Sequence, residues 1–114
     1  MLTKLLLITL LAFSIAACAT PTQQYDTAQQ AYQQQDYHSA FVKLKPLAED
    51  GDAKSQYAIG FMYYYGIGTN INQQEALSWI AKSAKQNYPP AVAALQKLQN
   101  QGMSQDSNPT FTNM

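Results

Sequence analysis

The residue types able to do chemistry are few in this chain of 114 residues: one cysteine, Cys18, one histidine, His38, and seven carboxylates against seven lysines, with no arginine. His38 follows Asp36-Tyr37, and pairing with Asp36 or Glu49 would make it a general base. No nucleophile stands beside it, and a solvated imidazole in a first helical turn accounts for the same residues. One histidine and one cysteine fall short of the ligand set a transition metal takes. Glu49, Asp50 and Asp52 could hold a cation weakly, but Asp52 is better explained as the cap of a following helix. Gly66-Ile67-Gly68 has glycines like those of a phosphate loop, without the preceding strand or the lysine and hydroxyl such a loop requires. The expectation is a non-enzyme with no catalytic set, no metal and no cofactor. The lysines are scattered along the chain, which argues against a nucleic-acid partner.

Cys18 has a different explanation. Residues 1–4 carry a positive charge, and residues 5–17 are apolar apart from Thr9 and Ser14. That run has the length of a signal-peptide core and is shorter than the roughly 20 residues that span a bilayer as a helix. It closes with Ile15-Ala16-Ala17-Cys18, which resembles the bacterial lipobox of an aliphatic residue, two small residues and cysteine. The resemblance implies a diacylglyceryl thioether on Cys18, cleavage before it and acylation of the new N-terminus. The alternative is an ordinary secretory signal with a cysteine nearby. Residues 1–17 are read as a lipoprotein signal peptide, and residues 18–24 as the lipidated cysteine and a tether. The tether would reach roughly 20 Å when extended. Ala19 stands where an Asp holds enterobacterial lipoproteins in the inner membrane, which favours the outer membrane, facing the periplasm. Removing residues 1–17 takes Lys4 with them and leaves six lysines against seven acids.

The elements that follow repeat. A shift of 36 residues lays Ala40 on Ala76, Leu44 on Ile80, Ala48 on Ala84, Ile59 on Leu95 and Met62 on Leu98. It also lays Asp36 on Asn72, both good N-caps, and Gly51 on Asn87, the residue types that best accept a left-handed helix stop. Caps and apolar periodicity predict five helices, over about 22–35, 37–49, 53–65, 73–86 and 89–101. Asn72-Gln73-Gln74-Glu75 reads as a capping-box-like start, and Pro46 should kink or shorten the end of the second helix. Gly60 falls inside the third helix, where glycine costs about 1 kcal/mol against alanine. Close approach of a neighbouring helix is the simplest compensation. Gly66 and Gly68 allow positive φ in the next link. Ala76 and Ala84 are small where helices should cross, while Tyr63 and Trp79 are large where the gap must be filled. Residues 102–114 lack periodicity and are read as a loose tail.

The central stretch resembles the SEL-one-like repeat family, relatives of the tetratricopeptide repeats. Ala53, Gln56, Ile59, Gly60, Tyr63, Gly66 and Gly68 carry the first half of the match, and Ala76, Trp79, Lys82, Ala84 and Ala91 the second. Ala31-Tyr32, Asp36-Tyr37, Ala40 and Leu47-Ala48-Glu49 look like the hairpin that often precedes such repeats. Thr69, Ile80 and Asn87 depart from the family's usual valine, aromatic and glycine. The resemblance covers residues 25–101. It implies an all-α fold: a short α-solenoid of about five antiparallel helices in which each unit touches mainly its neighbours.

The function this implies is a membrane-anchored interaction or scaffolding module of the bacterial envelope that docks a periplasmic protein or peptide. Tyr32, Tyr57, Tyr64 and Tyr65 are the candidate anchors for that partner, since exposed tyrosines serve well at interfaces. Tyr57 and Phe61, four apart, share a face, and Tyr64 and Tyr65 are placed at the border of the hairpin groove. The alternatives are a cell-wall-binding structural lipoprotein and a hydrolase of cell-wall or β-lactam compounds. The hydrolase reading comes from exported, cysteine-rich members of the family, whose paired cysteines are absent here.

Overall fold

The computed structural model of the chain describes residues 20–105, with side chains through Gln101. Residues 1–19, which include the expected signal peptide and Cys18, and the residues after Gln105 lie outside the described residues. Five α-helices follow one another: α1 (Pro21–Gln33), α2 (Tyr37–Glu49), α3 (Ala53–Tyr65), α4 (Gln73–Lys85) and α5 (Pro89–Gln105).

The helix boundaries are set by local hydrogen bonds that the side chains supply. Asp36 caps α2 by accepting from Ser39 N at 3.2 Å, Asp52 caps α3 by accepting from Ser55 N at 2.7 Å, and Asn72 caps α4 by accepting from Glu75 N at 3.1 Å. The stops are backbone matters: Gly51 (φ 101°) follows α2, Gly66 (φ 68°) ends α3, and Asn87 (φ 59°) follows α4. The 36-residue shift holds element by element, because α2 maps onto α4 from end to end and the start of α3 maps onto the start of α5.

Four expectations are corrected. The tether does not reach Gln24, because α1 begins at Pro21. Thr20 and Gln23 form a reciprocal capping box there, and proline, whose missing N–H is harmless in a first turn, opens the helix. Residues 102–105 belong to α5, not to the tail; a lone glycine at 102 weakens a helix without ending it. Pro46 does not shorten α2, which continues to Glu49. The ring removes only the bond to the carbonyl of Val42, a residue on the exposed face where water can replace it. Glu75 makes half of a capping box: its carboxylate accepts from Trp79 Nε1 at 3.0 Å instead of turning back to Asn72 N.

Each helix packs chiefly on its sequence neighbour, and α3 against α4 is the most extensive pairing. Small residues at the crossings make this possible. Ala28, Ala40, Ala76 and Ala91 are fully buried, and larger groups, Leu44, Ile59, Met62 and Trp79, fill the space between. A Cβ on Gly60 would sit 2.6 Å from Ile80 Cγ1 and 3.0 Å from Ala76 O, so glycine is what lets α3 and α4 approach. Tyr63 fills beside this crossing, half-buried, with its ring edge-on to Phe41 at 5.2 Å. Ala84 is only half-buried, and the small residue sealed into the end of α4 is Ser83, whose hydroxyl donates to Ala53 O at 2.6 Å. One step along a helix turns a side chain by about 100°, which is the whole difference. Leu95 and Leu98 are half-buried where their counterparts Ile59 and Met62 are fully enclosed, since no helix among the described residues follows α5 to cover them.

Candidate functional site

Helices α1, α3 and α5 present a shared face with two grooves. The first, of about 310 Å³, runs between Tyr25, Gln29 and Tyr32 of α1 and Lys54, Tyr57 and Phe61 of α3. Its floor is apolar, with Leu44 and Met62 beneath and Tyr88 at one end. The second, of about 440 Å³, runs between Tyr57, Phe61, Tyr64 and Tyr65 of α3 and Pro90, Ala94, Lys97 and Leu98 of α5, over Ile80. Tyr57 and Phe61 line both grooves and form the ridge between them.

The ridge follows from spacing. Residues 57, 61 and 65 recur every four positions, so their rings stack along one side of α3. Tyr57 and Phe61 centroids are 6.5 Å apart, and Phe61 and Tyr65 4.6 Å apart. Tyr64 meets Tyr65 edge-on at 4.9 Å, and Tyr88 extends the row from the other end, 5.8 Å from Tyr57. Five rings thus form one continuous aromatic strip. Tyr65 is 58% exposed, and Tyr32 and Phe61 are each 36% exposed, high values for side chains of this size. Lys54 Nζ lies 3.9 Å from the centre of the Tyr25 ring. The Tyr25 phenol is pushed above its ordinary range by burial, reinforced by Tyr88, Asp52 and Asp26 nearby.

The predicted anchors sort cleanly on this geometry. Tyr32 and Tyr57 face one another across the first groove, while Tyr57, Tyr64 and Tyr65 share a wall of the second. Neighbouring positions on a helix diverge, yet Tyr64 and Tyr65 touch, because rings this long reach back across the divergence. Sequence reasoning passed over Phe61 and Tyr88 as anchors. The i, i+4 pattern on α3 carried the signal for Phe61; Tyr88 lies in the α4–α5 turn, and no local signal places it.

The remaining candidates are structural. His38 Nδ1 lies 3.4 Å from Gly68 O, where the α3–α4 link packs on the start of α2. The contact is close: a Cβ on Gly68 would fall 2.2 Å from Tyr37 O. Asp36 is engaged by Ser39, whose hydrogen bonds hold its carboxyl below the usual range. Glu49 is engaged by Lys45 Nζ at 2.5 Å, a bond that raises the lysine. Asp52 accepts from Ser55 N and Oγ. No three His, Cys, Asp or Glu side chains among the described residues converge on a common point. No helix among them is long and apolar enough to cross a membrane.

A further polar device ties the repeats together. Gln56, almost fully buried, donates from Nε2 to Ala48 O at 3.1 Å, and its Oε1 accepts from Gln86 Nε2 at 2.9 Å. Gln86 Nε2 also reaches Gly51 O at 2.8 Å. The two amides clamp the turn after α2 to the end of α4, adding side-chain donors to Ala48 O, which already accepts from Gly51 N, and to Gly51 O.

Fold and grooves define a short α-helical repeat protein. No family model matches the chain. It is 42% identical over 65 residues to a sel1-like repeat-containing protein of Acanthamoeba polyphaga mimivirus, a match covering 50% of this chain and 11% of that one. It is 43% identical over 47 residues to chitin synthase regulatory factor 3 of Schizosaccharomyces pombe, covering 41% of this chain and 5% of the relative. The fold is similar to the crystal structure of a Sel1 repeat protein from Oxalobacter formigenes, with TM-score 0.65 and 28% identity over 68% of this chain and 24% of that one. Sequence and fold agree in their likeness to Sel1-like repeat proteins, and the chain is an all-α solenoid. It spans only about a tenth or less of the length of the curated relatives it matches.

Proposed function

We propose that this chain is a docking module of the bacterial envelope, held to the membrane through a lipidated Cys18 and binding a periplasmic protein or peptide on the face of α1, α3 and α5. The observation that carries the reading is the aromatic strip from Tyr88 through Tyr57, Phe61 and Tyr65 to Tyr64, exposed at Phe61 and Tyr65 and half-buried at the other three rings, which borders both grooves. Rigid aromatic side chains lose little entropy on binding and supply large contact areas, the combination found at binding hot spots. The grooves hold no nucleophile–base pair, and their polar groups are phenols, amides and two lysines. A non-catalytic role fits the name of one relative, a regulatory factor.

Cells expressing the wild type and Cys18→Ser are labelled with an alkyne fatty acid, and a photocrosslinker is placed at Tyr64. Label lost in the mutant, with a discrete crosslinked band, is the expected result. Label present in both would remove the anchor from Cys18. Absence of any reproducible crosslink at Tyr64 would remove the docking face.

A further inference from the structure

Both grooves have the same charge pattern. Each is lined by a single charged side chain, a lysine: Lys54 in the first and Lys97 in the second. Helix α3, and α5 through Gln101, contain no carboxylate. Two acids act on Tyr25 at the edge of the first groove without lining it: Asp52, committed as the cap of α3 through Ser55 N and Oγ, and Asp26, exposed on α1. Among the described residues neither lysine is in an ion pair; Lys54 rests over the Tyr25 ring, a contact that leaves an ammonium's hydrogen-bond donors free. The Tyr57–Phe61 ridge separates the grooves, and a path over it from one groove into the other crosses two helix spacings. At about 10 Å per spacing, that is roughly 20 Å, the length of about six extended residues.

We infer that this path takes an extended peptide segment of about six residues in which apolar or aromatic side chains alternate with carboxylates. The rings and apolar floors accept the first kind of side chain, and Lys54 and Lys97 select for the second. Like-charged lysines with no acid between them repel a basic segment, so charge supplies discrimination while apolar contact supplies the grip. The inference rests on the docking reading above and specifies its partner.

The test uses the full chain and eight-residue synthetic peptides carrying an uncharged dye, read by fluorescence anisotropy. One peptide alternates Phe or Leu with Glu, a second replaces each Glu by Lys, and a third keeps Glu but replaces the apolar residues by Ser. The first should bind at least about tenfold more tightly than either other at low salt, and weaken as salt rises. Lys54→Glu with Lys97→Glu should reverse the preference between the first two peptides. Both lysines are exposed, and circular dichroism melts test whether the variant stays folded. Equal binding of the acidic and basic peptides, or an unchanged preference in the variant, overturns the inference and leaves the docking face standing. Failure of all three peptides, with a positive crosslink at Tyr64 in cells, also overturns it, since the true partner is then not a segment of this kind.

Discussion

Gly60→Ala sets two opposing effects against each other at one position. Alanine raises helix propensity by about 1 kcal/mol over glycine, so at an exposed site α3 would be stabilised. Here the new methyl would lie 2.6 Å from Ile80 Cγ1, 3.0 Å from Ala76 O and 3.1 Å from Ile80 N. The first contact involves a side chain that could turn away. The other two are backbone atoms of α4, so relief requires the helices to separate along the most extensive pairing in the fold. Overpacking of this kind costs about 1–3 kcal/mol, and backbone obstruction places this case near the upper end. After the propensity gain, a net loss of about 2 kcal/mol remains. In a domain of this size that lowers the melting temperature by roughly 8–16 °C. Urea unfolding followed by Trp79 fluorescence measures the loss directly. Pairing Gly60→Ala with Ile80→Ala should recover about 1 kcal/mol relative to the sum of the single changes, because one of the three clashes is gone. A Gly60→Ala variant as stable as the wild type would refute the close-approach account of this glycine.

Three further outcomes follow from other contacts. Gly68→Ala should destabilise by at least about 2 kcal/mol more than Gly51→Ala: both positions have positive φ, but only at Gly68 does the added carbon collide with backbone, at Tyr37, while Gly51 has open space around it. Matched denaturation curves compare them, and equal losses would remove the packing argument. Gln56→Ala should cost about 0.5–1.5 kcal/mol through the lost bonds to Ala48 O and the Gln86 amide, each of which keeps a second partner, and the change should couple with Gln86→Ala in a double-mutant cycle. The Asp36 carboxyl titrates lower in the folded chain than in the unfolded one because Ser39 donates to it. Its contribution is therefore complete above the ordinary carboxylate range and is lost as pH falls through the depressed folded value. Asp36→Asn, which keeps a capping oxygen without a titrating proton, should flatten the dependence of stability on pH in the acid range, as measured by melting at successive pH values.

The parts of this protein that were legible in the sequence are those decided within a few residues. Asp36, Asp52 and Asn72 announce the starts of α2, α3 and α4 because a cap bonds to an amide three positions on. Gly51 and Asn87 announce the stops because left-handed backbone is open to few residue types. The start of α1 was legible in the same way, in Thr20, Pro21 and Gln23, but the expectation of a tether hid it. Gly60 was readable as a point of close approach, since glycine inside a helix demands compensation.

What only the tertiary structure decided spans about thirty residues or more. Nothing local sends Gln86 to Gly51 O and Gln56, or Ser83 rather than Ala84 into the seam beside Ala53. The same holds for the grooves: the row Tyr57, Phe61 and Tyr65 is written in α3, but a row of rings becomes a ridge between two clefts only when α1 and α5 stand on either side of it. Caps and stops are properties of one turn of chain. A groove is a property of the distance between helices, and that distance is set by the side chains that happen to meet, Gly60 on Ile80 and Gly68 on Tyr37.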